Sequence, residues 1–270
     1  MKCIYLKEKT SCATGTMPMD FKDKCVLVTG ASRGIGKATA LAFAEKGAKV
    51  GINFRSRIDE AEKTLIELSG NGHQLFQRDI SIKKEAKALI DDFVNAYGKI
   101  DVLVNNAGIA ITHKVDEVDF EEWTSDWEQT LQTNLFAPAH LCYLAAHHMI
   151  KAGGGSIVNV SSRGAFRGEP DQPAYGASKA GLNALSQSLA KKLAPHHIHI
   201  GVVAPGFTET DMATETLTAL EKEKMLQETP FHRMAKPGEV AHAILFLASD
   251  KSAYSSGTII DVNGASYLRS

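Results

Sequence analysis

The sequence predicts one α/β domain, a doubly wound parallel sheet of about seven strands with helices on both faces. Three observations carry this. Short, apolar, β-favouring runs alternate with helical stretches from Cys25 to Val262, and repeated strand–helix–strand crossovers demand parallel strands covered on both faces. The first strand runs into T-G-A-S-R-G-I-G at Thr29–Gly36 and then into a helix, the local context that turns a glycine-rich turn into a nucleotide site. A chain of 270 residues, 44% hydrophobic, is long enough to bury one large core, and nothing in it marks a second.

Taken in order, strand Cys25–Thr29 leads through the glycine turn to a helix over Lys37–Lys46. Strand Ala48–Phe54 precedes a helix over Ile58–Ser69. Strand His73–Gln77, ending at Asp79, precedes a helix over Ile82–Tyr97. Strand Asp101–Val104 runs into N-N-A-G at Asn105–Gly108. An acidic run, Asp116–Glu122, reads as a solvated loop and helix start, with Trp123 beside Trp127 as a candidate pocket rim. A long helix follows, from about Ser125 to Lys151. Strand Ser156–Val160 is followed by a helix over Ala174–Ala194 that stops at Pro195. Strand Ile198–Ala204, an irregular or helical stretch Thr208–Glu228, helix Pro237–Ser249 and strand Thr258–Val262 close the domain. Ligands of such sheets gather at the carboxyl ends of the strands.

The glycine turn has the spacing G-x-x-x-G-x-G. Gly30 suits the tight turn, Gly34 a close backbone approach to a pyrophosphate, and Gly36 close packing of helix on strand, with the helix amides facing the anion. Glycine turns also join strand to helix in α/β proteins that bind no nucleotide. Y-G-A-S-K at Tyr175–Lys179 puts a phenol and an ammonium one turn apart on one helix face. Such a pair is ordinary on a surface helix, but an ammonium beside a phenol favours its ionised form. A free phenol titrates near pH ~10, so work near neutrality requires about 4 kcal/mol of differential stabilisation. After the run Ile157–Val160 stand Ser161 and Ser162, the latter thirteen residues before Tyr175. Adjacent residues in a strand point to opposite sides, and the spacing favours Ser162 as the partner of the tyrosine.

Together Gly30, Gly34 and Gly36, Asn105–Gly108, Asn134, Ser162, Tyr175 with Lys179, and Pro205-Gly206 resemble, in kind and order, the landmarks of the short-chain dehydrogenases/reductases, over about Asp20 to Leu268. The resemblance implies a Rossmann fold and hydride transfer between a nicotinamide and a carbonyl or alcohol. It implies that Tyr175 donates a proton to the substrate oxygen and that Ser162 hydrogen-bonds the same oxygen. Lys179 would lower the tyrosine pKa and hold the nicotinamide ribose, and Asn134 would anchor a water linking Lys179 to solvent. The implied cofactor shell is Gly30, Ser32, Arg33, Gly34, Ile35, Gly36, Phe54, Arg55, Asp79, Ile80, Asn106, Ala107, Gly108, Pro205, Gly206 and Thr208, with Tyr175 and Lys179. NAD-using relatives carry an Asp at the end of the second strand that would repel a 2′-phosphate. Here Phe54 stands there, followed by Arg55, with Arg33 in the glycine turn and Arg57 nearby, so NADP(H) is the expected cofactor.

The closing segment Arg233–Asn263 is most similar to that of 3-oxoacyl-(acyl-carrier-protein) reductases, which implies a small-molecule carbonyl or acyl-thioester substrate. A carrier protein is acidic, and where such reductases present arginines this chain offers only Lys151, Lys191, Lys192 and His196. A sugar, polyol or small-ketone dehydrogenase therefore stays open and, beyond it, a cofactor-binding regulator without turnover. Phe207, Met212 and Phe231 are candidate pocket lining, in a stretch where the family carries a substrate lid. Leu182, Leu185, Leu189 and Leu193 share one helix face, adjoined by Ala177, Gly181, Ala184 and Ser188. That is wider than one sheet face needs, so a second packing partner is expected and, by resemblance, a homotetramer (or homodimer).

Net charge is -1 with both signs interspersed, which leaves no basic footprint for nucleic acid or an anionic membrane. No apolar run approaches the roughly 18 residues of a membrane span. Cys3, Cys12, Cys25 and Cys142 show no C-x-x-C spacing, pointing to a reducing, cytoplasmic setting and no metal. His147, His148, His196, His197 and His199 read as solvated helix-end positions. Met1–Met19 holds too short and too charged an apolar core for a signal peptide; residues 1–19 are expected to be a mobile extension ahead of a domain spanning 20–270.

Overall fold

A computed structural model describes residues 19–210, 223 and 226–269. The expected extension up to residue 18, the pocket candidate Met212 and most of the stretch expected over 208–228 lie outside the described residues. Seven strands form one sheet: β1 (Cys25–Val28), β2 (Lys49–Phe54), β3 (Gln74–Gln77), β4 (Val102–Asn105), β5 (Gly155–Val160), β6 (Ile198–Pro205) and β7 (Ile259–Val262). Their order is β3-β2-β1-β4-β5-β6-β7, with every pairing parallel. The connecting helices are α1 (Gly34–Glu45), α2 (Ile58–Glu67), α3 (Lys83–Tyr97), α4 (Phe120–Leu131), α5 (Ala137–Ala152), the short α6 (Gly164–Arg167), α7 (Pro173–Leu193) and α8 (Pro237–Ala248).

Successive side chains of a strand face opposite sides of the sheet, so each central strand feeds two cores. Val26 and Val28 join Val50, Ile52, Val104 and Val158 against Phe43 of α1 and Ile244 of α8. Cys25 and Leu27 join Leu103, Ile157 and Ile200 against Phe93 of α3 and Leu141 and Met149 of α5. Strands buried on both faces must be apolar throughout, which is why these runs were readable as strands.

Three expectations are corrected. The helix expected over 125–151 begins earlier, at Phe120, where Asp119 Oδ1 accepts the Glu122 N–H at 2.9 Å, and it is broken by a π-helical turn, Gln132–Phe136. Pro138, in the first turn of α5, has no N–H to give the carbonyl of residue 134, and its ring crowds that carbonyl. The wider π turn absorbs the conflict and carries Asn134. The short α6 was not foreseen. His199 is no solvated helix end but a buried residue of β6, where desolvation lowers its pKa.

Helix α7 divides its faces differently from the leucine pattern. Leu182, Asn183, Ser186, Ala190 and Leu193 are buried in the subunit, while Ala177, Ala184 and Ser188 are exposed.

Candidate active site

The order of strands reverses between β1 and β4, and ligands of open parallel sheets bind at such a crevice. The two loops there are laced together. Thr29 Oγ accepts the N–H groups of Asn106 (3.0 Å) and Ala107 (3.1 Å), and Asn106 Nδ2 donates to the carbonyls of Thr29 (2.9 Å) and Gly30 (3.1 Å). Gly30 takes φ 63°, and a Cβ there would stand 2.9 Å from Ala107 Cα, so only glycine fits. Gly34 also has positive φ, 56°. Thr64 of α2 donates to the Ser32 carbonyl at 3.0 Å, which fixes the turn from its far side. Arg33 precedes α1 in extended conformation and offers its first turn no side-chain cap, leaving the helix amides to an anion. A pyrophosphate fits this cradle.

The other predicted contacts lie at the carboxyl ends of neighbouring strands. Phe54, at the end of β2, is buried and Arg55 after it exposed. Asp79, beyond β3, accepts from Ser81 N (3.0 Å) and Oγ (2.6 Å), and Ile80 is buried. Gly206 N donates to Val262 O at 2.9 Å, and Thr208 is buried with its hydroxyl toward Gly206 O, 3.3 Å.

Two of the four expected catalytic side chains, those of Asn134 and Lys179, meet at Gly108. A Cβ there would lie 3.2 Å from Asn134 Oδ1 and 3.3 Å from Lys179 Nζ. Asn134 exchanges bonds with Ile109, accepting its N–H at 2.9 Å and donating to its carbonyl at 2.8 Å. Lys179 Nζ donates to Val160 O at 2.9 Å and stands 5.7 Å from the Tyr175 ring centroid. Ser162 stands beside Tyr175, where it favours the ionised phenol, and accepts the Gly164 N–H at 3.0 Å. Ser161 turns away, donating to Lys179 O at 3.3 Å, as the strand alternation requires.

This geometry agrees with what the chain resembles. Residues 24–221 match the short chain dehydrogenase family profile. The chain is 41% identical over 248 residues to 3-oxoacyl-(acyl-carrier-protein) reductase FabG of Thermotoga maritima, and 38% identical over 247 residues to that of Staphylococcus aureus strain Mu50; both cover 91% of this chain and 98% of the relative. The chain belongs to the short-chain dehydrogenase family. A crystal structure assigned as a short-chain alcohol dehydrogenase from Sinorhizobium meliloti 1021 superposes with TM-score 0.85 at 33% identity, covering 92% of this chain and 98% of that one. As a short-chain dehydrogenase the protein is an oxidoreductase that interconverts CH–OH and C=O with a nicotinamide cofactor.

The electrostatics of the dehydrogenase site correct one expectation. Burial raises the Tyr175 pKa; the bond from Ser162 lowers it and the Glu169 carboxylate raises it further. Within the protein the phenol is thus held protonated, an acid ready to donate, where an ammonium one turn away was expected to ionise it. Burial also lowers Lys179, to about 8, so desolvation is the leading cause for both groups.

Two residues that sequence reasoning passed over complete the neighbourhood. His113 is fully buried, accepts the Ala174 N–H at 3.3 Å beside Tyr175, and packs edge-on against Trp123 at 5.3 Å; Trp123 and Trp127 are its packing partners. Arg163 is buried beside Ser162. The one signal for either was position, a long polar residue next to a motif.

Lys179 is charged below about pH 8 and neutral above it, while burial holds the Tyr175 pKa above the ordinary phenol value. Carbonyl reduction is therefore expected to hold a plateau below about pH 8 and decline above it as the ammonium is lost. Profiles of kcat/KM against pH for the wild type and Lys179→Met check this: the decline should vanish in the variant, and a wild-type profile flat to about pH 10 refutes it.

Proposed function

We propose that the protein reduces the ketone of a 3-oxoacyl thioester to the hydroxyl with NADPH, Tyr175 acting as acid, Ser162 holding the substrate oxygen, Lys179 supporting the tyrosine and the ribose, and Asn134 ordering a path to solvent. The observation that carries the reading is the convergence of Asn134 and Lys179 on Gly108, with Ser162 beside Tyr175. When bound, the nicotinamide supplies the hydride. Tyr175, kept protonated by burial, delivers the proton to the oxygen that receives negative charge, and Ser162 donates to the same oxygen. The thioester comes from the relatives' activity; for the domain body, taken as 20–270, the free, buried Cys25 and Cys142 support a reducing, cytoplasmic setting.

A panel of 3-oxoacyl thioesters, sugars and diketones with NADPH tests this. Thioesters are expected to give the highest kcat/KM, and Tyr175→Phe to lower kcat by several orders of magnitude. A sugar or small ketone reduced best would replace the substrate reading, and a variant that keeps more than about a tenth of wild-type kcat would remove Tyr175 from its role.

The preference for NADP(H) rests on Arg55, exposed just past the buried Phe54, where no acidic residue stands to accept ribose hydroxyls. A guanidinium there would grip a 2′-phosphate through charge-assisted bonds. NADPH is expected to exceed NADH by at least about tenfold in kcat/KM, and Arg55→Ala to erase most of that while leaving NADH kinetics nearly unchanged. Equal use of both by the wild type excludes it.

Assembly as a homotetramer is supported by two separate faces. Phe136, Tyr143 and Ile150, 47%, 64% and 38% exposed, recur every seventh residue along α5 and its preceding turn. Phe246 of α8 is 44% exposed. Because Ala184 is exposed in the subunit, Ala184→Arg should leave the subunit folded and abolish only association across α7, since a charge buried there without a partner costs several kcal/mol. Light scattering decides it; a monomeric wild type at micromolar concentration ends the proposal.

A further inference from the structure

Arg163 follows Ser162 directly, and the steps above give it no part. Its side chain is 4% exposed, a placement guanidiniums accept only when paired. The guanidinium carbon lies 4.0 Å from the Phe207 ring centroid. Nη2 donates to Glu228 Oε2 at 3.1 Å, and the main-chain N–H donates to Pro205 O at 2.9 Å. Arg167, one turn further, donates to the same Glu228 oxygen at 3.0 Å. Phe207 lies just past the end of β6, and Glu228 lies beyond residues 208–227 in the sequence. One side chain therefore touches both and is joined through its backbone to the serine.

The arrangement is expensive. Nη1 is buried with no hydrogen-bond partner among the described residues, and desolvation, with Arg167 adding to it and Glu228 opposing, holds the Arg163 pKa below the ordinary arginine value. An apolar side chain of similar volume is often as stable at a buried ionic site or more so, so stability does not explain a cation here. Geometry does: among the described residues the Ser162 hydroxyl is held by the Gly164 N–H, and Gly164 belongs to the same turn.

We propose that Arg163 is a positioning residue for Ser162, clamping the chain at Phe207 and Glu228 onto the turn 162–167 and so fixing the serine hydroxyl where it meets a substrate carbonyl. This rests on the reading of the site as a carbonyl reductase. The test is a double-mutant cycle on the full chain with an acetoacetyl thioester and NADPH. Arg163→Met is expected to lower kcat about tenfold in the otherwise wild-type protein, but less than about twofold in a Ser162→Ala background, with NADPH Kd unchanged. Glu228→Gln, at a position 46% exposed, should act in the same sense and carries the cycle if Arg163→Met does not fold. Equal losses in both backgrounds, or no loss, overturn the proposal. Hydrogen exchange at the Arg163 and Gly164 amides reads the clamp without turnover. Faster exchange in Glu228→Gln is expected, and unchanged exchange overturns the clamp. If the wild type reduces no carbonyl, the functional reading falls and exchange alone decides.

Discussion

The hydroxyl of Thr29 sits at the seam between β1 and β4, where the sheet reverses its winding, and the site depends on what it holds. Thr29 Oγ donates to Val104 O at 3.3 Å while accepting two amides of the N-N-A-G loop. That anchors Ala107 against Gly30 and presents Gly108 to Asn134 and Lys179. The glycine turn and the proposed catalytic groups are thus registered to each other through one buried residue. Below the seam a polar chain runs from β4 to α7: Asn105 Nδ2 to Asn159 Oδ1 at 2.8 Å, Asn159 Nδ2 to Ser186 Oγ at 2.8 Å, and Ser186 Oγ to Leu182 O at 2.6 Å. Buried polar groups penalise any packing that leaves them unpaired, so this chain fixes where α7, with Tyr175 and Lys179, lies across the sheet.

Desolvation, more than the attraction between charges, sets the chemical character of the site. The lysine is lowered and the tyrosine raised, both toward their neutral forms. A tyrosine so held is an acid, suited to protonating an alkoxide as it forms. The reverse reaction, which needs the phenolate, would have to work against the same burial.

Much of this was legible because parallel strands buried on both faces must be apolar, and because glycine is the residue that tolerates the conformation at Gly30. Strand positions agreed with the sequence to within a residue or so at most ends. The motif residues came together as their order in the chain implied, and Ser162 was separable from Ser161 by strand alternation together with its spacing to Tyr175. The π turn around Asn134 was less visible: its cause, Pro138, stood in plain sight, but a proline near a helix start is commonplace, and nothing local says whether the chain kinks, stops or widens.

By itself the sequence determined the strand and helix succession, the nucleotide turn, and the identity of serine, tyrosine and lysine, since each is set by residue type and spacing within a few turns of chain. Only the tertiary structure decided the protonation bias of Tyr175 and Lys179, the role of His113 beside Ala174, and the joining of Arg163 to Phe207 and Glu228. Those depend on how far water is excluded and on which distant segments meet, and both are properties of the packed chain.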